Sequence, residues 1–253
     1  MRQFETGSVS EVELTLVVPF FNVGEQIYEH FIQLINVLDS QGMRYEILAV
    51  SDGSTDDSVK LIKPLTSEKL SIIELKKNEG KGFALRTGLS MGSGKYLGFI
   101  DADGDIPAEL LNQFIQLIQA HQPDIIYGNK RHPGSRISFP LLRRIYSVTY
   151  QSLLMILFSI SIRDTQTGIK FMKREVAEAV LPIMIEKRFA FDLELFVVAK
   201  KLGYKDIIDA PVIINERIQS SISFRAVLNI IKDTFAIFYR LKITKYYDQK
   251  PNR

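Results

Sequence analysis

The sequence predicts an α/β fold in which a mixed, mainly parallel sheet is flanked by helices. In the first half of the chain, short apolar runs alternate with segments whose apolar residues recur every three or four positions. This alternation is typical of βαβ units. Polar clusters follow the apolar runs, as expected of loops at the carboxyl ends of parallel strands. With 46% hydrophobic and 24% charged residues in 253, the composition excludes a disordered or fibrous protein.

The elements follow in order along the chain. The predicted strands are the apolar runs at residues 14–19, 45–50, 70–75, 96–100 and 124–127. The predicted helices between them span 26–38, 56–65, 82–91 and 108–121. Beyond Asn129 come a long helix-like stretch, a polar turn with the sequence RDTQTG, further helices, and an apolar and basic segment at 224–247. We predict one domain over 1–222, with halves at about 12–128 and 129–222, followed by amphipathic helices in 223–253.

The composition restricts which metals and which macromolecular partners the protein can bind. The chain has no cysteine, so any metal must bind oxygen or imidazole ligands. A net charge of +3 is too small to indicate nucleic-acid binding, but it is compatible with an anionic membrane surface. The uncharged segment 145–162 contains many Ser, Thr and Gln residues, so we do not expect it to span a membrane.

The sequence DADGD provides the strongest candidate metal site. Asp101, Asp103 and Asp105 follow the apolar run 96–100 at alternate positions. Carboxylates spaced in this way can bind Mg²⁺ or Mn²⁺ together with a substrate diphosphate, and the ion would neutralise charge on a departing nucleoside diphosphate. The alternative is an acidic cap on the helix that begins near Pro107. Capping requires one carboxylate, so the three aspartates favour a metal site.

The sequence SDGSTDD is ambiguous. Helix capping accounts for the residues from Ser54 to Asp57, because Ser, Thr and acidic side chains stabilise a helix amino terminus. Capping does not account for Asp52, which lies at the predicted strand end. A carboxylate at that point could accept hydrogen bonds from a ribose or a nucleobase. Both interpretations of Asp52 stay open.

The sequence KNEGKGFALRTGL indicates phosphate binding only weakly. Gly80 and Gly82 flank Lys81, and Arg86 follows on the predicted helix. Glycines allow a backbone to approach a ligand closely, and a cation at a helix start favours phosphate. The spacing differs from that of a P-loop.

Taken together, these strings resemble glycosyltransferase family 2, which has the GT-A fold, over residues 14–216. The resemblance lies in VVPFFN with Glu25, VSDGSTDDS, NEGKGFALRTG, FIDADGDIP and GNKRHPGS. RDTQTGIKFMKRE followed by FAFDLEL is similar to the dolichyl-phosphate glucose synthases and, more loosely, to the dolichyl-phosphate mannose synthases. Those enzymes transfer a hexose from a nucleotide sugar to a polyprenyl phosphate.

The resemblance implies a set of site residues. The nucleotide sugar would be bound in the first half by Pro19, Asn22, Glu25, Asp52, Gly53, Lys81, Arg86, Asp101 and Ala102. The metal would be bound by Asp101, Asp103 and Asp105. The acceptor phosphate would be bound in the second half by Arg131, Ser135 and either Arg143 or Arg144. The reaction centre would include Asp103, Asp164, Gln166 and Asp192. GNKR departs from the family by carrying Lys130 where a tighter Gly-Ser-Arg is expected.

The resemblance also implies a metal-dependent, inverting hexosyltransferase that uses Mg²⁺ or Mn²⁺, with UDP-glucose favoured as donor. Because a phosphate monoester is largely ionised at neutral pH, its second pKa being about 6, such an acceptor needs no protein base. Three alternatives remain. The donor could be GDP-mannose, or the acceptor a sugar hydroxyl with Asp164 or Asp192 as base and Glu194 as partner of Asp192. The chain could also be a nucleotide-sugar sensor without turnover.

A lipid acceptor calls for an apolar docking surface. Apolar residues recur at helical spacing in the last segment: Phe224, Val227, Leu228, Ile231, Phe235 and Phe238. Basic residues lie among them to meet lipid headgroups: Arg225, Lys232, Arg240, Lys242 and Lys245. We therefore expect peripheral attachment to the cytoplasmic side of a membrane. The alternative is packing of the same stripe into the core or a dimer interface, and a homo-oligomer is left open.

Overall fold

The computed structural model describes residues 11–136, 141–160, 162–188, 190–214 and 224–248, without the side chains of 141–148 and 224–228. The strands are β1 (Leu14–Phe20), β2 (Tyr45–Ser51), β3 (Leu70–Glu74), β4 (Tyr96–Ile100), β5 (Ile125–Asn129), β6 (Ile169–Lys173) and β7 (Ile207–Pro211). The helices are α1 (Gln26–Ser40), α2 (Ser58–Ile62), α3 (Lys81–Met91), α4 (Leu110–His121), α5 (Leu141–Phe158), α6 (Arg174–Val180), α7 (Phe191–Lys201) and α8 (Phe224–Lys242). Short 3₁₀ turns lie at Lys63–Leu65, Leu181–Ile183 and Tyr246–Asp248.

In the described part of the chain, the strands form one seven-stranded sheet in the order β3-β2-β1-β4-β6-β5-β7. Only β6 runs antiparallel to its neighbours β4 and β5, and the other pairs are parallel. The predicted mixed, mainly parallel sheet is therefore confirmed. Because β6 runs in reverse, its first residue, Ile169, pairs with the last residue of β4, Ile100. The RDTQTG turn before β6 and the DADGD segment after β4 consequently meet at one edge of the sheet.

Apolar residues cover both faces of the sheet. Every residue of β1 is buried, as expected of a central strand in a sheet packed on both sides. One core cluster joins α3, α6 and α7 to the sheet, and the other joins α1 and α4. Gly98 of β4 is needed for close packing, because a Cβ atom there would lie 2.0 Å from a ring carbon of Phe171 on β6.

The first half follows the predicted order, and the observed strand bounds differ from the predicted ones by at most two residues. The predicted helix 56–65 is shorter than expected: an α-helix at Ser58–Ile62 continues into a 3₁₀ turn that contains Pro64. Proline has no amide hydrogen to donate and clashes with the preceding turn of an α-helix.

The sequence interpretation of the second half missed β6 and β7. The sequence IKFMK of β6 contains two lysines and therefore does not form an apolar run. One of them, Lys170, is nevertheless buried. In β7, IIDAP contains both Asp209 and Pro211, residue types that are depleted in strands. β7 is the last strand of the described sheet order, a place where proline is tolerated.

The helices α5 and α8 pack against each other and against the core. The hydroxyls of Tyr150 and Thr234 are 2.9 Å apart, and the ring centroids of Phe158 and Phe238 are 6.1 Å apart. Phe238, expected on the lipid-facing stripe, is thus partly buried. Among the described residues, no helix combines the length and the apolar composition needed to cross a membrane.

Candidate active site

A cleft of about 540 Å³ opens at the carboxyl edge of the parallel strands. Six residues predicted for the nucleotide sugar or metal line it: Pro19, Asp52, Lys81, Asp101, Ala102 and Asp103. Gly80, one of the two glycines that flank Lys81, lines it as well, and further lining residues were not predicted: Phe20, Phe21, Val23, Asn78 and Arg188. The cleft therefore lies at the carboxyl ends of the strands, where the strand-end rule predicts a ligand site. Arg188, which directly precedes the FAFDLEL string, reaches the cleft from the segment before α7.

Lys81 and Asp101 form an ion pair in the cleft. Their side chains are 27% and 24% exposed, so water screens the pair only partly. Burial lowers the pKa of Lys81, but the carboxylates of Asp101 and Asp192 outweigh this effect and the pKa is raised. The lysine is therefore a permanent cation at the amino terminus of α3, where an anionic ligand is favoured.

Asp101 also touches the RDTQTG turn. Its backbone amide donates to the carbonyl of Gly168 at 3.0 Å. A Cβ atom on Gly168 would lie 2.1 Å from Oδ2 of Asp101, so only glycine permits this approach. The turn and the acidic segment therefore form one unit, although they are more than sixty residues apart in the chain.

Asp103 is the exposed carboxylate of the cleft. Its Oδ1 accepts a hydrogen bond from the backbone amide of Asp105 at 3.1 Å, and Asp105 is outside the described cleft lining. Among the described residues, no group of three or more acidic, histidine or cysteine side chains converges tightly enough to hold a metal alone. Asp101 and Asp103 still fit a hard cation that is shared with a ligand, because Mg²⁺ is often bound by one or two carboxylates together with substrate phosphates.

Asp52 anchors a loop as well as lining the cleft. Its buried carboxylate accepts hydrogen bonds from the amides of Glu79 at 2.8 Å and Gly80 at 2.9 Å. Gly53 has a φ angle of +69°, and a Cβ atom there would lie 2.4 Å from the carbonyl carbon of Lys77. Asp52 and Gly53 thus hold the β3–α3 loop, which leads directly into Lys81 at the start of α3.

Gly53 and three other predicted donor-site residues lie outside the described cleft lining. The side chain of Asn22 accepts a hydrogen bond from the amide of Thr55 at 2.8 Å. Glu25 is exposed just before α1. Arg86 donates to the carbonyl of Met184 at 2.7 Å and lines a separate pocket of about 320 Å³.

Asp164 organises the second half of the site. It accepts hydrogen bonds from the amides of Lys130 and Gln166, both at 3.1 Å, and from the hydroxyl of Thr167 at 2.5 Å. Burial lowers the pKa of Arg131, and the nearby charge of Asp164 partly offsets this effect. Asp164 therefore brings the RDTQTG turn together with the loop after β5. The buried side-chain nitrogen of Gln166 has no hydrogen-bond acceptor among the described residues.

The predicted acceptor-phosphate residues have different environments. The hydroxyl of Ser135 donates to the carbonyl of Asn129 at 2.6 Å and accepts from the amide of Val212 at 2.9 Å. Ser135 thus stabilises the loop after β5. The side chains of Arg143 and Arg144 lie outside the described residues.

Sequence reasoning missed a buried lysine beneath the site. Lys170 of β6 is fully buried, and its ammonium lies 2.7 Å from a carboxylate oxygen of Asp192 and 2.6 Å from the carbonyl of Thr167. Burial lowers the pKa of Lys170, although Asp192 acts in the opposite direction. Asp192, a candidate base in the sequence, is thus the partner of a buried cation. A lysine inside an otherwise strand-like IKFMK was the available signal, because a buried ammonium requires a partner.

Glu194 is fully buried beside α8. It accepts hydrogen bonds from the amides of Ile185 at 2.9 Å and Glu186 at 2.7 Å, and from the hydroxyl of Tyr247 at 2.5 Å. Asp192 and Glu194 were a candidate pair of catalytic carboxylates. In the structure each is bound to other partners, Asp192 to Lys170 and Glu194 to two backbone amides and Tyr247.

The model of glycosyl transferase family 2 matches residues 15–181. Because this is more than half of the chain, the protein belongs to glycosyl transferase family 2, as the sequence motifs predicted.

Relatives and solved structures extend this result. The chain is 30% identical over 214 residues to the dolichyl-phosphate beta-glucosyltransferase of Dictyostelium discoideum, covering 77% of this chain and 64% of that protein. It is 29% identical over 220 residues to the Saccharomyces cerevisiae protein of the same name, covering 78% and 66%. The chain thus spans slightly less than two thirds of these relatives.

The fold resembles glucosyl-3-phosphoglycerate synthase from Mycobacterium tuberculosis, solved in complex with Mn²⁺, UDP and phosphoglyceric acid. The TM-score is 0.68 at 16% identity, over 90% of this chain and 78% of that one. Similarity at this level shows the fold alone, and it confirms the predicted GT-A fold.

Proposed function

We propose that this protein transfers a glucosyl residue from UDP-glucose to dolichyl phosphate or another polyprenyl phosphate, with inversion at the anomeric carbon. The Dictyostelium and Saccharomyces relatives are named dolichyl-phosphate beta-glucosyltransferases. The observation that carries the proposal is the grouping of Lys81, Asp101 and Asp103 at the sheet edge, beside the RDTQTG turn. Cations and carboxylates together suit a nucleoside diphosphate bound with a divalent ion.

Different residues of the cleft would bind different parts of the donor. Asp101 and Asp103 would hold Mg²⁺ or Mn²⁺, and that ion supplies charge neutralisation to the leaving diphosphate. Lys81 and Arg188 line the same cleft and would bind diphosphate oxygens, for which guanidinium geometry is well suited. Asp52 helps to position Lys81 by anchoring the two residues that precede it, Glu79 and Gly80.

The state of the carboxylates favours a phosphate acceptor over a sugar hydroxyl. A hydroxyl acceptor needs a general base, whereas an ionised phosphate can attack without one. Asp192 is paired with Lys170, and Asp164 accepts three hydrogen bonds. Both carboxylates are therefore engaged in holding the site, and a role as base would require them to give up these partners.

The function is tested by incubating the full chain with labelled UDP-glucose, GDP-mannose or UDP-N-acetylglucosamine and a short polyprenyl phosphate, with and without EDTA. We expect glycolipid from UDP-glucose alone, with loss of product in EDTA. Transfer from GDP-mannose alone would reassign the donor. UDP-glucose binding without transfer to any polyprenyl phosphate would instead indicate a sensor.

Arg131 is predicted to bind the acceptor phosphate, because a guanidinium can donate two hydrogen bonds to phosphate oxygens. The variant Arg131→Gln should raise the KM for polyprenyl phosphate by at least about tenfold, as expected for loss of a charged hydrogen bond. The KM for UDP-glucose should stay unchanged. Lys130→Gln is the neighbouring control, since Asp164 accepts from the backbone amide of Lys130. An unaltered acceptor KM in Arg131→Gln would refute the assignment.

We propose that the protein binds a membrane surface and takes the lipid acceptor from it. Three exposed apolar residues recur every four positions along α8 and just beyond its end. They are Phe235, Tyr239 and Ile243, which are 48%, 55% and 63% exposed. Met155 and Ile156 of the adjacent α5 are exposed as well. Exposed lysines at 232, 242 and 245 accompany this apolar surface. Each would contribute about 1 kcal/mol near anionic lipid, and burial of the apolar side chains about 25 cal/mol per Å².

Liposome flotation tests this surface. The triple variant Phe235→Ser, Tyr239→Ser, Ile243→Ser is expected to lose most binding to vesicles containing phosphatidylserine. Met91→Ser, at a 60% exposed methionine of α3, is the matched control and should float like the unaltered chain. High salt should weaken binding of the unaltered chain, because it screens the lysines. Equal flotation of the triple variant would assign the exposed stripe to another role.

A further inference from the structure

We propose that Glu194 and Arg240 are positioning residues for the donor cleft: they hold the segment 184–188, here called the strap, against the start of α3, where Lys81 lies. The inference rests on the proposed function, because it assigns these residues to binding of the nucleotide sugar. Neither residue lines the cleft in the described part of the chain, so their effect would be transmitted through the strap.

The inner side of the strap packs directly on the start of α3. The amide of Phe83 donates to the carbonyl of Lys187 at 3.1 Å, and Arg86 donates to the carbonyl of Met184 at 2.7 Å. A Cβ atom on Gly80 would lie 2.5 Å from the carbonyl oxygen of Lys187. The strap and the residues on either side of Lys81 therefore cannot shift independently.

The strap also contributes to the cleft itself. Arg188, its last residue, lines the cleft with Lys81, Asp101 and Asp103. The position of a cationic cleft residue thus depends on the backbone of residues 184–188.

The outer side of the strap is held by Glu194 and by the C-terminal elements. One carboxylate oxygen of Glu194 accepts from two successive strap amides, those of Ile185 and Glu186, at 2.9 and 2.7 Å. The other oxygen accepts from the hydroxyl of Tyr247 at 2.5 Å. Arg240 of α8 forms an ion pair with Glu186, and its guanidinium is 3.8 Å from Glu194.

These contacts place the strap between two layers. α7 and α8 clamp it from one side, and the start of α3 supports it from the other. The ion pair with Glu186 is largely shielded from water, since the side chains of Arg240 and Glu186 are 16% and 13% exposed. Loss of the guanidinium would leave Glu186 with its charge uncompensated, and the strap would relax away from the cleft. We therefore expect a selective loss of donor affinity.

The test measures UDP binding to the full chain by calorimetry in the presence of Mn²⁺, together with the KM values for donor and acceptor. Arg240→Met should weaken UDP binding by at least about tenfold, the shift expected from loss of a charged hydrogen bond. The KM for polyprenyl phosphate should stay unchanged. Arg240→Lys should recover part of the affinity, because it keeps the positive charge. Tyr247→Phe is a milder second variant that removes a single hydrogen bond to Glu194.

Lys201→Met is the matched control. Lys201 forms an ion pair with Asp248 and so joins the same C-terminal segment to α7. Within the described part of the chain no ion pair joins Lys201 to the strap, and UDP affinity should stay unchanged. Unaltered UDP affinity in folded Arg240→Met and Tyr247→Phe, or an equal loss in Lys201→Met, would overturn the proposal. If the unaltered chain binds UDP but transfers no sugar, the proposed function fails while the positioning role is still measured by UDP affinity.

Discussion

Replacement of Asp103 by asparagine is expected to lower turnover by at least about a hundredfold, the usual cost of removing one electrostatic contact to transition-state charge. Asp103 is exposed in the cleft, and its contact with Asp105 is a local one. The fold should therefore survive the change. Initial rates of glucosyl transfer with added Mn²⁺, together with a thermal unfolding curve, measure both effects.

The control for Asp103→Asn is Asp57→Asn. Asp57 is also exposed and acidic, but it pairs with Lys60 at the start of α2, outside the cleft. Its removal should leave turnover intact, because exposed ion pairs contribute little. A metal role for Asp103 is contradicted if Asp103→Asn retains full turnover and EDTA has no effect on the unaltered chain.

The variant Lys170→Met is expected to lower the free energy of unfolding by about 3–5 kcal/mol, the typical cost of removing one partner of a buried ion pair. The substitution preserves much of the side-chain volume, so loss of charge is the main change. It leaves Asp192 buried without its cation and the carbonyl of Thr167 without a donor. Chemical denaturation monitored by circular dichroism gives the stability difference.

The double variant Lys170→Met, Asp192→Leu separates charge from packing. Replacing both members of a buried pair by apolar residues is often neutral, so the double variant should recover most of the lost stability. Lys60→Met, in the exposed pair with Asp57, should change the free energy of unfolding by less than about 1 kcal/mol. A double variant as unstable as Lys170→Met would show that packing, and not the unpaired carboxylate, causes the loss.

The first half of the fold was predictable because its information is local. Each strand is an apolar run followed by a polar loop, and each parallel strand delivers that loop to the same edge of the sheet. Asp52, Lys81, Asp101 and Asp103 all line the cleft at that edge for this reason. Sequence position near a strand end was sufficient, and no distant contact was needed.

The remaining parts depend on contacts between distant residues. β6 was missed because burial of Lys170 requires Asp192, which lies 22 positions further along the chain. The family resemblance implies a place near the diphosphate for Arg86, and in the structure Arg86 donates a hydrogen bond to the carbonyl of Met184, 98 positions away. Arg188 reaches the cleft only because the strap packs on α3. Spacing within one motif contains none of this information.

The reversed strand β6 has a consequence for how the chain selects a single strand alignment. Successive side chains of a strand point to opposite faces, so a slip of one residue would exchange the faces of all five side chains. In the observed alignment, Lys170 lies opposite Phe99, and Phe171 lies opposite Gly98. A slipped strand would separate Lys170 from Asp192 and move the Phe171 ring away from the space that Gly98 leaves. The ion pair and the glycine thus both stabilise the observed register of β4 with β6 over a register shifted by one residue.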